Sequence, residues 1–440
     1  MFKSIINAFK LKDVRSRLFF TIAMLVVIRL GCQLPVPGVD SKAFASFFAS
    51  KTGDAFSFFD AFTGGSFAQM SIFALNITPY ITSSIIMQLL TIAIPKLEEM
   101  NKEEDGRKKI AAITRYVTVG LALFESTAMA IGFGNQGYLI SSSSKILSIF
   151  TIVVALTAGS AFLMWIGERI TEHGVGNGIS IVLVINIISR IPSDINTLYE
   201  RFIQDGNNIG EKVIKAIIII AIIVATVVLV VLLNGGIRKI PVQYAKKVQG
   251  NRIMGGNNTH IPLRVNTAGV IPIIFASSIM QFPVIFCNLI GVGNGTGTAA
   301  TILHCLQSSN WFNREQPLYT LGLLFYVVLV VFFAYFYTAI TFNPMLIADN
   351  MKKSGGFIPG IRPGKPTTEY LNSVLHYIIF MGAVGLILVA IIPIFFSGVF
   401  KANVTFGGTS LIIIVSVTLE TIKQVETLML QRNYTGFLNA

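Results

Sequence analysis

Two long uncharged apolar runs, Ala216 to Leu233 and Leu321 to Ile340, constrain this chain more than any other feature. Each approaches the ~20 residues that a helix needs to span a bilayer core. Only 12% of the 440 residues are charged, roughly half the fraction of about 25% usual in soluble domains. Hydrophobic residues reach 53% and the mean hydropathy is +0.70. The chain therefore reads as an all-α polytopic membrane protein. Its formal charge of +13 suggests basic loops facing anionic lipid heads, acidic surfaces or RNA.

Apolar segments predict ten transmembrane helices, near Leu18 to Leu34, Ser71 to Ile94, Tyr116 to Gly134, Leu147 to Ile166, Gly178 to Ile191, Ile214 to Leu233, Gly269 to Ile290, Leu318 to Phe342, Tyr370 to Phe395 and Thr409 to Met429. The fifth has only about 14 residues before Pro192, so it must be tilted, shielded or extended beyond that proline. Lys and Arg concentrate on the cytoplasmic side of membrane proteins. With the amino terminus inside, 23 fall in inside segments and nine outside, Arg190 among the latter, while Arg29 and Lys423 lie within spans. Both termini are thus expected to be cytoplasmic. Leu30-Gly31-Cys32 resembles a lipoprotein cleavage site, but Arg29 stands where that motif needs an apolar residue, so the first span is read as a signal anchor.

Pro79-Tyr80-Ile81-Thr82-Ser83-Ser84-Ile85-Ile86-Met87-Gln88 in the second span is echoed by Pro272-Ile273-Ile274-Phe275-Ala276-Ser277-Ser278-Ile279-Met280-Gln281 in the seventh. Segments five spans apart suggest a five-plus-five arrangement, residues 1–195 and 196–440, and an odd number of spans per half makes the halves inverted. Between the first two spans, Asp54 to Gly65 is rich in phenylalanine but too short to cross. It is either re-entrant, which requires surrounding protein or a water-filled cavity, or an amphipathic helix on the outer surface. Gly64-Gly65 is a candidate hinge.

Catalytic and metal chemistry is sparse. Cys32, Cys287, Cys305 and the four histidines are scattered without ligand spacing, so neither a metal nor any other cofactor is expected. Cys287 and Cys305 could bridge outside the membrane. Arg29, Glu125, Glu420 and Lys423 are the clearest charges inside spans, too few for an obvious relay. Gly360 to Thr367 imitates a phosphate-binding loop, but its first glycine is one residue too close and Pro366 occupies the Ser/Thr position. Gly174-Val175-Gly176-Asn177-Gly178 lacks the preceding strand of a dinucleotide site and reads as a tight turn. The basic loops Asn234 to Ala268 and Phe342 to Glu369 serve either as topology signals touching membrane lipids or as a docking platform for a large partner.

Pro35-Val36-Pro37-Gly38-Val39-Asp40, Gly64-Gly65, Ser71-Ile72-Phe73-Ala74-Leu75, Gly174 to Ser180, Gly269-Val270-Ile271-Pro272, Phe342-Asn343-Pro344, Ala348-Asp349-Asn350, Pro359 to Gly364 and Gly407 to Leu411 together resemble the SecY family, the channel subunit of bacterial preprotein translocases. The likeness runs in order along nearly the whole chain. It implies two inverted pseudo-symmetric halves around a central pore in the cytoplasmic membrane, with a short re-entrant plug helix. By matched position it implies a pore ring of Ile77, Ile81, Ile179, Leu183, Ile274 and Ile413, Leu183 replacing a common isoleucine. It implies a plug at about 55–67 containing Phe56, Phe58, Phe59, Phe62, Gly64 and Gly65. It sets the second and seventh spans on either side of a lateral gate, with Ser83, Ser84 and Gln88 facing Ser277, Ser278 and Gln281. Docking is implied at Arg252, Lys352, Lys353 and Arg362. The implied partners are SecE-like and SecG-like membrane subunits, the SecA motor ATPase, the ribosome, and preprotein signal sequences and nascent chains. The implied function is secretion and membrane insertion through a protein-conducting channel, with no enzymatic activity of its own. Two rivals are an inverted-repeat solute transporter, which would need a polar midplane site, and a scaffold for other membrane subunits.

Overall fold

A computed structural model describes residues 9–50, 60, 63–137, 139, 145–199, 209–244, 247–249, 252–254, 258–290, 298–307, 311, 317–400 and 408–438. The first part of the chain forms α1 (Lys12–Gly31), α2 (Ser41–Ser50), α3 (Thr78–Ala93), α4 (Pro95–Lys102), α5 (Glu104–Gln136), α6 (Lys145–His173), α7 (Gly178–Leu198) and α8 (Ile209–Gly235). Strands β1 (Ile237–Tyr244), β2 (Lys247–Gln249), β3 (Arg252–Met254) and β4 (Asn258–Arg264) follow. Next come α9 (Ile271–Ile290), α10 (Thr298–Leu306), α11 (Thr320–Thr341), α12 (Pro344–Lys353), β5 (Gly356–Phe357), α13 (Lys365–Phe400) and α14 (Gly408–Leu438). Among the described residues four helical stretches are long and apolar enough to cross a membrane, and the pair α3 and α4, bent by 104°, makes a fifth if counted as one.

Local chemistry sets the helix ends. The Asn177 side chain caps α7 by accepting from the N–H groups of Ile179 and Ser180, and Asn343 caps α12 through Met345 and Leu346. These bonds satisfy donors that the first turn leaves without partners. Helix α5 ends at Gly137, whose φ of 81° is the left-handed conformation glycine adopts freely. Pro95 supplies no N–H and interrupts the helix between α3 and α4. The fifth predicted span does continue past Pro192, and α7 is helical to Leu198.

Two expectations need correction. The second predicted span begins at Ser71, but the chain runs from there to Ile77 as turns, and α3 starts only at Thr78. Asn76 (φ 51°) and Met70 (φ 47°) are left-handed, which breaks helical continuation. Their carbonyls are satisfied elsewhere, that of Asn76 by the Ser160 hydroxyl at 3.1 Å and that of Met70 by the Val36 N–H at 2.9 Å. The fold is also not purely helical. The basic loop after α8 forms β1 and β4, which pair antiparallel with Ile240 opposite Ile261, and β5 joins on the other side of β1 in the order β4-β1-β5. Ile240, Val242 and Leu263 from the sheet bury against Met351 of α12 and Leu371, Val374 and Ile378 of α13. Alternation of apolar side chains along β1 gives the sheet one face for that core.

The main cores lie in separate places. One gathers Val36, Phe44, Phe67, Met70 and Leu75 against Met129 and Phe133 of α5 and Ile152 and Leu156 of α6. Another gathers side chains of α8, α9, α11, α13 and α14, including Val230, Phe275, Phe333, Val389 and Ile412. Between these groups α14 packs on α7 and α9 packs on α5, which makes two seams. All three cysteines are free thiols, so Cys287 and Cys305 are not bridged.

Candidate conducting pore and its seams

Pro79 and Pro272 each occupy the second residue of their helix, α3 and α9, where a missing N–H costs nothing. The isoleucines near these prolines therefore start their helices in the same way. Ile77, immediately before α3, is fully buried with Ile28, Phe73, Leu163, Ile166, Ile170 and Val182, and half-buried Ile81 and Ile179 pack against this cluster. Ile413 is buried with Ile187 and Val417, and half-buried Ile274 packs there. Five of the six predicted ring residues thus fall into two apolar clusters rather than one. Ile181 of α7 borders both. Leu183 is buried but belongs to neither. Isoleucine is the commonest side chain in both clusters. A narrow passage with such walls cannot hold a continuous water column and closes to ions by dewetting.

The gate residues divide. The Ser83 hydroxyl lies 2.5 Å from that of Thr118 on α5, and Ser277 lies against the Tyr326 hydroxyl on α11. Each hydroxyl therefore bonds a helix other than the one across the expected gate. Ser84, Ser278 and Gln88 are half-buried, and the Gln88 Oε1 is buried with no hydrogen-bond partner among the described residues. Gln281 belongs to α9, and its side chain lies outside the described residues. Ile85, next to Ser84, packs against the cluster containing Phe275, Ala276 and Met280. It is a contact across the seam that sequence reasoning overlooked, although it lies one turn beyond Ile81 on the same helix face.

Phe56, Phe58, Phe59 and Phe62 lie outside the described residues. Gly64 and Gly65 are described, with φ of 68° and 86°. A Cβ on Gly64 would stand 2.7 Å from the backbone oxygen of Asn186 on α7, whereas one on Gly65 would meet nothing within 4 Å. Gly64 is therefore a point of close contact, and of the two only Gly65 is unobstructed. The Ser189 hydroxyl donates to the Gly64 carbonyl at 3.4 Å, and the Asn186 amide donates to the Asn76 side chain at 3.0 Å. One face of α7 holds this segment, which sequence reasoning did not see.

Lys352, Lys353 and Arg362 flank β5, while Arg252 lies in a separate two-stranded ribbon. Lys352 and Lys353 are exposed in the last turn of α12. Arg362 is exposed in the turn before α13, where the Thr367 hydroxyl donates to its carbonyl at 2.8 Å and Gly360 and Gly364 take positive φ. The Arg362 backbone is thus held while its guanidinium faces outward. Arg252 pairs with Gln249 in the two-stranded β2–β3 ribbon, and its side chain lies outside the described residues.

The SecY family model matches residues 71–422. A protein translocase subunit SecY from Bacillus subtilis is 41% identical over 446 residues, and one from Halalkalibacterium halodurans is 42% identical over 445, each alignment covering 100% of both chains. Among solved structures, a protein-conducting channel superposes with a TM-score of 0.66 at 17% identity, over 94% of this chain and 92% of that one. Sec61 in a canine ribosome–channel complex gives 0.61 at 16% identity, over 94% and 92%. At those identities the structural likeness concerns the fold, while the full-length relatives and the family model concern the sequence itself. By the family model and the full-length relatives, the chain belongs to the SecY family.

Proposed function

We propose that this chain is the protein-conducting channel of the general secretory pathway in the cytoplasmic membrane of a bacterium. It moves unfolded preproteins outward and releases hydrophobic segments sideways into the bilayer. The observation that carries this reading is the pair of isoleucine-rich apolar clusters that meet at Ile181 of α7. Relatives named as translocase subunits support it. A solute transporter would need polar side chains where these isoleucines stand, so that alternative is not favoured.

In this reading ten helices span the membrane, both termini are cytoplasmic, and residues 1–195 and 196–440 are inverted halves. The equivalent positions of Pro79 and Pro272 support the inversion. Ile77, Ile81, Ile179, Leu183, Ile274 and Ile413 form the constriction, and residues around 55–67 form the plug. A translocating chain wets and widens the ring, and aliphatic side chains then pack around whatever passes. Lateral release follows from free energy. Twenty Leu-rich residues gain roughly −6 to −12 kcal/mol on entering lipid, while one central charge costs about 2.5 to 3.5 kcal/mol.

The chain is a channel subunit and not an enzyme, so its energy comes from outside. We assign Lys352, Lys353, Arg362 and Arg252 to docking of a SecA-type motor ATPase and of ribosomes. SecE-like and SecG-like subunits complete the complex. The test is reconstitution in vesicles with a secretory precursor and a motor ATPase. Precursor should become protease-protected only when both the channel and ATP are present, and equal protection in channel-free vesicles would reject the proposal.

A further inference from the structure

We infer that Asp60 and Arg190 form a latch that ties the segment beginning at Asp60 to α7 and sets how readily the channel opens, an inference that rests on the channel reading above. Asp60 is 1% exposed and pairs through Oδ2 with the Arg190 guanidinium, itself mostly buried. Its other oxygen, Oδ1, accepts from the Ala68 N–H at 2.8 Å and from the Thr63 hydroxyl at 3.3 Å. Thr63 Oγ1 in turn accepts from the Phe67 N–H at 3.3 Å. One carboxylate thus organises residues 63–68 and at the same time holds them to a helix 130 positions away in sequence. Ser189 and Arg190 lie three and four residues after Asn186, on one face of α7, and Ser189, Arg190 and Asn186 engage Gly64, Asp60 and Asn76 respectively.

The physics of a buried ion pair makes this contact a switch rather than simple glue. In a dry site the two charges attract strongly, whereas water weakens the attraction and solvates each partner separately. A closed, dewetted channel therefore keeps the latch shut, and a wet one lets it part. Removing Arg190 leaves the buried Asp60 carboxylate with only the Ala68 N–H and the Thr63 hydroxyl, and removing the Asp60 charge takes a carboxylate from the Arg190 guanidinium. Removing both leaves a neutral contact of nearly the same volume, which costs much less.

Purified channel carrying Asp60→Asn, Arg190→Gln, both substitutions together, or Arg190→Lys is compared with the parent in planar bilayers without precursor. Each neutral single variant should open at least about tenfold more often, the change that a loss of about 1.4 kcal/mol from the closed state produces. The double variant and Arg190→Lys should return toward the parent. A second readout uses native Cys32, which is buried with its thiol against Ser66. In a Cys287→Ser, Cys305→Ser background, a water-soluble maleimide should label Cys32 faster in the single variants only. Precursor transport by each variant shows that it is folded. If a single variant is not folded, the double variant and Arg190→Lys keeping parental conductance and labelling support the latch, and either one being leaky overturns it. Parental conductance and labelling in folded single variants overturn the latch, and leak in Ile81→Asn with Ile274→Asn then shows that the channel reading stands. Absence of both precursor transport and conductance in the parent overturns the channel reading and the latch with it.

Discussion

Gly64 is the residue where the backbone leaves least room for change. A methyl group there would meet backbone atoms of Asn186 that cannot rotate away, and its φ of 68° disfavours any L side chain. Gly64→Ala should destabilise the seated segment by about 1–3 kcal/mol. Single-channel recording should show frequent openings without precursor, whereas Gly65→Ala, with open space around it, should show fewer. The proposed constriction should respond to polarity instead of shape. Ile81→Asn with Ile274→Asn places an amide in each apolar cluster, so the passage should stay wet and leak ions. Bilayer conductance equal to that of the parent would remove these positions from the ring. Neither site was fully legible in the chain. Isoleucine is the ordinary filler of apolar helices, so Ile77 or Ile413 gains meaning only from its matched family position. The Asn186 to Asn76 bond joins residues 110 apart, and no local pattern announces such a partner. Arg190 reads as an outer-edge charge that sets topology until Asp60 is seen beside it.

At the scale of elements, the α12–β5–α13 unit presents charge from a stiffened frame. Asn343 caps its first helix, β5 pairs with β1, and the turn holding Arg362 is fixed by Pro363, two positive-φ glycines and the Thr367 bond. A guanidinium held in this way can make bidentate contacts of fixed direction to a carboxylate, which a flexible lysine cannot. Arg362→Glu should abolish motor-driven translocation while the purified complex remains folded. Export at the parental rate would move the coupling role to Lys352 or Lys353. Of this unit only α13 was legible, from its long apolar run; α12, ten residues ending in Lys352 and Lys353, fell inside the segment Phe342 to Glu369 that reads as a basic loop. The strands were not, because Ile240 and Val242 are separated by Pro241 and lie between Lys239 and Gln243 in a segment whose basicity already had a sufficient explanation in topology. The late start of α3 was hidden for a related reason. Residues 71–77 are as apolar as a helix, and only the left-handed Asn76 and Met70 reveal that they turn.

For the whole molecule, the two seams differ in what holds them. Where α14 meets α7, Ile413 and Val417 bury against Ile187, and Val425 buries with Val14 and Val175. On the other side α9 packs on α5 and Ile85 of α3 reaches the α9 cluster, while the hydroxyls of Ser83 and Ser277 are engaged away from one another. A channel that releases segments sideways needs one seam to hold while the other parts, and the second seam, with half-buried Ser84, Ser278 and Gln88, is the weaker candidate. Interhelical hydroxyl contacts in membranes are worth about 0.6 kcal/mol each, little enough to be broken by an intercalating signal sequence. Ser84→Cys with Ser278→Cys, or a pair one helical turn away, should therefore form a disulfide in the resting channel, since bridging needs Cα atoms within about 7 Å. Oxidation should block both insertion of hydrophobic segments and export of precursors, and reduction should restore both. Cross-linked channel that still inserts and exports at the reduced rate would show that α3 and α9 do not border the exit, and the two-halves arrangement would have to be abandoned.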